Sequence, residues 1–174
     1  DSMEKASVQK LDRICKKLEL DPGDQILEIG TGWGSFAIHA ATHYGCRVTT
    51  TTISDEQYEH VVNLVKDKKL EKQISVLKKD YRSLDGQFSK IVSIEMIEAV
   101  GHNYIEQFFK TCSSLLKPNG LMAIQGITYH EQGFENHLKS VDFIKKYIFP
   151  GSNLISVNHV LSVIKGYTDL SLVH

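Results

Sequence analysis

Glu28-Ile29-Gly30-Thr31-Gly32-Trp33-Gly34 sets one acid and three alternating glycines where an apolar strand would turn into a helix. Glycines let a backbone approach a ligand closely and leave its N–H groups aimed at an anionic end. The start of the helix adds partial positive charge, suited to a phosphate or a carboxylate. A dinucleotide fingerprint wants its third glycine one place later, where this chain has Ser35. Glu28 would also repel a pyrophosphate. It suits a ligand that carries an ammonium and a sulfonium, and S-adenosylmethionine carries both. Glu28, Gly30, Thr31, Gly32, Trp33 and Gly34 are therefore candidate cofactor residues. The plainer alternative is a surface acid beside a tight turn.

Two further positions could address the same ligand. Gln57 stands three residues after Ser54, a capping-box spacing that would satisfy the helix's own backbone; hydrogen bonding to ribose hydroxyls is the other reading. Asp80-Tyr81 follows a predicted strand. The acid could accept from an adenine amino group with the ring packed beside it, or simply serve a turn. His39 and His43 have i, i+4 spacing but lack the glutamate of a zinc protease, so they read as a helix face and no metal is expected.

These residues need elements to carry them. Leu11, Ile14, Cys15 and Leu18 recur at helical spacing, and that helix is expected to stop at Asp21-Pro22-Gly23. Strands are expected at 25–29, 47–53, 74–77, 90–94 and 121–124, with helices at 35–44, after Ser54, at 105–116 and at 157–165. Lys117-Pro118-Asn119-Gly120 is a turn signal, and 169–173 reads as a sixth strand. Alternating strands and helices imply a doubly wound, mostly parallel sheet with helices on both faces. Ligands on such sheets sit beyond the carboxyl ends of the strands. Residues 129–150 carry aromatics without a clear strand, the habit of a segment that covers a site. Lys139, Lys145 and Lys146 accompany Phe143 and Tyr147 there on an expected helix, a composition that suits a bilayer surface as well as ordinary packing.

The chain of 174 residues is one domain's worth, and no internal repeat breaks it. Its net charge of −1 gives no global field to draw in nucleic acid. Cys15, Cys46 and Cys112 are odd in number and lack a CxxC spacing, which argues against a disulfide framework or zinc knuckle and for a cytoplasmic setting. No apolar run approaches the ~20 residues of a membrane span. Both ends read as cuts through an element, as in a fragment of a longer protein.

With the motifs in place, the chain from about Asp1 to Pro150 resembles the catalytic domain of cyclopropane-fatty-acyl-phospholipid synthases and the related mycolic acid cyclopropane synthases. The resemblance rests on LEIGTGWGSFAIHAA, VTTTTISDEQY, KDYRSLDGQFSKIVSIEMIEAVGHNY, LLKPNGLMAIQGIT and VDFIKKYIFPG. It implies a Rossmann-like class I methyltransferase domain over 1–174, with 129–150 as an insertion covering the substrate. It further implies that Gly30, Gly32, Trp33 and Gly34 embrace the methionine part of S-adenosylmethionine, that Thr52, Ile53 and Gln57 meet the ribose, and that Asp80 and Tyr81 lie near the adenine. Glu98 matches a family glutamate that helps hold bicarbonate, and Gln125 stands where some members place a histidine beside that ion. A helix N-terminal acid is the plainer reading of Glu98.

The implied reaction methylates the cis double bond of an unsaturated phospholipid acyl chain and closes a cyclopropane ring. It would take place at the membrane surface, the protein lying at the inner face. A carbocation formed in this way needs a dry, mostly apolar pocket and one base. The rival readings are an N-methyltransferase of small amines on the same scaffold, a non-catalytic module that binds the cofactor or a partner, and a dinucleotide oxidoreductase.

Overall fold

The computed structural model describes residues 2–173. Helix α1 (Met3–Lys17) is capped by Ser2, whose hydroxyl accepts from the Lys5 N–H at 3.2 Å. It ends before the expected Asp21-Pro22-Gly23, because Glu19 turns left-handed at φ 52° just after the cap at Leu18. Strand β1 (Gln25–Ile29), α2 (Ser35–Tyr44), β2 (Arg47–Thr52), α3 (Asp55–Asp67), β3 (Ile74–Lys78) and β4 (Phe88–Ile94) follow. The Tyr81–Ser83 3-10 turn lies between the last two strands. After them come α4 (Ile105–Leu115), β5 (Leu116–Gln125), α5 (Phe134–Lys139) and α6 (Val157–Tyr167).

The strand order is β3-β2-β1-β4-β5. β1 pairs in parallel with β2 and β4, and β2 with β3, so the doubly wound parallel sheet is present. From Ile26 on, every residue of the central β1 is buried, as expected for a strand covered on both faces. The register sets Glu28 opposite Thr50 and Ile29 opposite Thr51.

The chain divides into two compact units. The first runs to Ser93 and takes in Leu115–Ala123; its core includes Leu11, Cys15, Leu18, Ile26, Leu27, Phe36, Val61, Ile91 and Val92. The second comprises Ile94–Ser114 and residues from Ile124 onward, around Ile97, Ile105, Phe108, Phe109 and Cys112. Residues 129–150 belong to this second unit.

Three further expectations differ from the structure. Residues 169–173 form no strand: Thr168 Oγ1 takes the Leu170 N–H, and Leu172 and Val173 stay exposed. Alternation makes a strand only where a neighbouring ladder receives its backbone groups, and none does among the described residues. β5 begins at Leu116, straight from α4, and runs through the expected Lys117-Pro118-Asn119-Gly120 turn, with Asn119 at φ 63° within it. The expected helix through Lys139 and Tyr147 is two pieces, α5 and a π-turn over Ile144–Ile148. No described helix is long and apolar enough to cross a membrane.

Candidate functional site

In the first unit, the glycine loop is built on β1 and clasped to β2. The Gly30 and Thr31 N–H groups both donate to the Thr51 carbonyl, at 3.1 and 2.9 Å. Gly34 has φ 85°, and a Cβ there would lie 3.2 Å from both methyls of Val61. A side chain at that position would therefore be strained and crowded at once. Helix α2 starts from Gly34 with no side-chain cap and no acid in its first turn. Its leading N–H groups thus remain available to an anion. Thr31 is 2% exposed, yet its Oγ1 has no hydrogen-bond partner, an unsatisfied state that a ligand would relieve. Trp33 and Ile53, on the loops after β1 and β2, are both exposed apolar side chains. The Trp33 and His60 rings meet at right angles with their centroids 5.3 Å apart, His60 lying on α3.

Glu28 is fully buried rather than a surface acid. Its Oε2 accepts from Thr50 Oγ1 at 2.6 Å. Burial pushes its carboxyl up to about 8, against a smaller opposing effect of the Thr50 hydrogen bond. At neutral pH the acid form dominates, so the negative charge expected of it depends on a cation arriving nearby.

The loop after β2 separates two roles that the sequence left even. Ser54 caps α3, accepting from the Gln57 N–H at 3.2 Å. The Gln57 side chain does not complete a capping box: its Oε1 accepts from Thr52 Oγ1 at 2.8 Å, and the Ser54 N–H goes to Thr52 instead. Asp80 is a turn residue, taking hydrogen bonds from the Arg82 N–H, Nε and Nη2. Arg82 holds its carboxyl below the ordinary aspartate value. Tyr81 lies under the same guanidinium at 5.9 Å. The rings of His39 and His43 lie 4.6 Å apart on α2, tilted by 46°, and His39 approaches Asp12 at 3.8 Å.

The second unit holds the other candidates. Glu98 sits in a 3-10 turn, Ile97–Ala99. Its Oε1 accepts from the Ile127 N–H at 2.6 Å, while its Oε2 is buried without a partner. Gly126 is needed here, since a Cβ would lie 2.8 Å from Ile97 Cγ2 and 3.4 Å from Glu98 Oε1. Gln125 donates from Nε2 to Glu95 Oε1 at 2.5 Å. The Asn153 N–H donates to the Glu98 carbonyl at 3.0 Å, and Asn153 Oδ1 is likewise buried and unpartnered. Sequence reasoning missed Glu95, Asn153 and Thr50. Glu95 alone had a signal, an acid directly after a predicted strand.

A parallel sheet in this order, with a glycine loop leading from β1 into an uncapped helix, defines the class I methyltransferase fold. The mycolic acid cyclopropane synthetase model matches residues 1–174, and the chain belongs to that family. It is 35% identical to tuberculostearic acid methyltransferase of Mycobacterium tuberculosis over 97% of this chain and 39% of that protein. It is 37% identical to cyclopropane-fatty-acyl-phospholipid synthase of Escherichia coli K12, over 92% of this chain and 40% of that one. A solved mycolic acid cyclopropane synthase complexed with SAH and CTAB superposes with a TM-score of 0.84 at 30% identity, covering 95% of this chain and 61% of that one. The chain spans about two fifths of the length of the curated relatives it matches.

Proposed function

We propose that this chain holds S-adenosylmethionine on its first unit, and that the whole protein methylates the cis double bond of an unsaturated phospholipid acyl chain to close a cyclopropane ring. The observation that carries the reading is the divided carboxylate of Glu98. One oxygen is satisfied by the Ile127 N–H and the other is buried with no donor. A buried acceptor in that state calls for a proton-bearing partner, and bicarbonate, whose O–H can donate to Glu98 Oε2, fits it.

Bound S-adenosylmethionine supplies the electrophilic methyl group, and bound bicarbonate the base that takes the proton lost on ring closure. The chain's own residues do the rest. The α2 N-terminus and the Thr31 hydroxyl receive the amino-acid end of the cofactor. Glu28 faces its positive charge, and Gln57, with its amide nitrogen left over by the Thr52 contact, meets the ribose beside Ile53. Trp33 covers the loop, and Tyr81 packs by the base. Asp80 would have to exchange part of its Arg82 pairing to accept from the adenine amino group. Glu98 orients the base, and Gln125 contributes its remaining N–H. Residues 129–150 exclude water from the carbocation.

The same segment would meet the bilayer. Val141, Phe143, Ile144, Tyr147, Ile148 and Phe149 are all exposed, with Lys139, Lys145 and Lys146 among them. Exposed aromatics interleaved with lysines suit an anionic lipid surface.

The test is mass spectrometry of dioleoylphosphatidylglycerol vesicles incubated with the whole protein and S-adenosylmethionine. A gain of one methylene unit, strongly reduced by Glu98→Gln, is expected. Methylated small amines with unchanged lipids would replace this reading with the N-methyltransferase one. No turnover of either would favour a binding module.

A further inference from the structure

Among the described residues, four other than glycine have positive φ: Glu19, Lys69, Glu95 and Asn119. Three have local reasons. Glu19 and Lys69 directly follow the caps of α1 and α3, where a left-handed residue ends a helix, and Asn119 is an asparagine, a residue type that enters the left-handed region at low cost. Glu95, at φ 51°, has no such reason: it comes straight off the end of β4, where its relatives in the open α/β sheets place ligands. A side chain held in that conformation at a strand end marks a position kept for use rather than ease.

What holds Glu95 there is a two-point clasp on Gln125. The Glu95 N–H donates to the Gln125 carbonyl at 2.8 Å, and Gln125 Nε2 donates to Glu95 Oε1 at 2.5 Å. The second contact also fixes chemistry. A carboxylate offers only acceptors, so the amide must turn its nitrogen toward Glu95 and its oxygen away. Three residues on, Glu98 Oε1 takes the Ile127 N–H. Glu95 and Glu98 thus tie residues 125 and 127, and Glu98 Oε2 is left unsatisfied.

We infer that Glu95 is a positioning residue for this site, orienting the Gln125 amide so that one defined N–H and one defined carbonyl remain for what Glu98 holds. The inference rests on the lipid-methylating reading above. Glu95 acts through Gln125 and needs no contact of its own with the substrate.

The test compares Glu95→Gly, Glu95→Gln, Gln125→Ala and the Glu95→Gly/Gln125→Ala double variant of the whole protein on dioleoylphosphatidylglycerol vesicles. Glycine accepts φ 51° without a Cβ penalty, so Glu95→Gly keeps or raises Tm. Its kcat nevertheless falls about tenfold, the scale of one charge-assisted hydrogen bond, with KM for S-adenosylmethionine unchanged. Glu95→Gln, still an acceptor, retains most of the rate. The double variant is no slower than Gln125→Ala, as expected when one residue acts only through the other. A spectroscopic signature accompanies this: a downfield-shifted Gln125 side-chain N–H in NMR, lost in Glu95→Gly. Glu95→Gly with undiminished kcat, additive losses in the double variant, or no shifted resonance in the unsubstituted protein would each overturn the inference alone. An unsubstituted protein inactive on lipids would instead overturn the function on which it rests, and the inference with it.

Discussion

If Glu28 meets the positive charge of the cofactor, binding must expel a proton. Its carboxyl is pushed up to about 8 by burial, so at pH 7 it is about 90% protonated in the free chain. A cation brought beside it favours the carboxylate and draws its pKa down toward the ordinary value of 4.5. Binding at pH 7 should then release about 0.9 proton, and the cost of removing it weakens affinity by roughly tenfold, or about 1.4 kcal/mol, relative to pH well above 8. The sign follows from the raised pKa: affinity rises with pH up to about 8 and then levels. Calorimetry with S-adenosylhomocysteine at pH 7, in buffers of different ionisation enthalpy, reads the proton count directly, since that ligand keeps the ammonium. Glu28→Gln, neutral and of the same shape, should abolish both the buffer dependence and the rise with pH. A slope of zero in the unsubstituted chain, or an equal slope in Glu28→Gln, would refute the electrostatic role of Glu28.

Other outcomes follow from the same geometry. Gly34→Ala combines φ 85° with a Cβ 3.2 Å from Val61, whereas Gly32→Ala meets only φ 50° and open space; thermal melts should show Gly34→Ala costing about 2 kcal/mol and Gly32→Ala about 1. His39, His137 and His159 all have their imidazoles lowered, chiefly by burial. The unfolded chain therefore takes up protons at these imidazoles first as pH falls below about 6.5, whereas the raised carboxyl of Glu28 works the other way; in Glu28→Gln, which removes that opposition, urea melts should show stability dropping from pH 7.5 to 5.5, and a flat profile there would contradict neutral burial. Trp33 is the only tryptophan and is 59% exposed on the glycine loop. S-adenosylhomocysteine should therefore shift its emission to the blue, and an unmoved spectrum on saturation would place the ligand elsewhere.

What the sequence made legible was whatever its local chemistry decides. β1 and α2 fall on their expected boundaries because Asp21-Pro22-Gly23 and the glycine loop punctuate the chain on either side of β1, and Gly45 closes α2 at φ 69°. Asp80 was readable as a turn residue for a similar reason: its partner Arg82 is two positions away. The failure at 169–173 is of the other kind. Alternation there is real, but a strand is a property of two segments, and the pattern of one cannot report a missing neighbour.

The candidate site divides along the same line, and Glu28 and Glu95 show how. Both are acids at or just past a strand end, so residue type marks each as a candidate. Yet the charge of Glu28 is set by total burial beside Thr50, twenty-two positions along the chain, and sequence reading assigned it the ionised form that burial disfavours. The use of Glu95 is set by the sign of its φ and by Gln125, thirty positions on, and neither leaves a local trace. Sequence therefore locates acids on the working edge of such a sheet, but protonation and orientation come from non-local contacts. It is those two properties that separate a carboxyl that meets a cation from one that aims an amide.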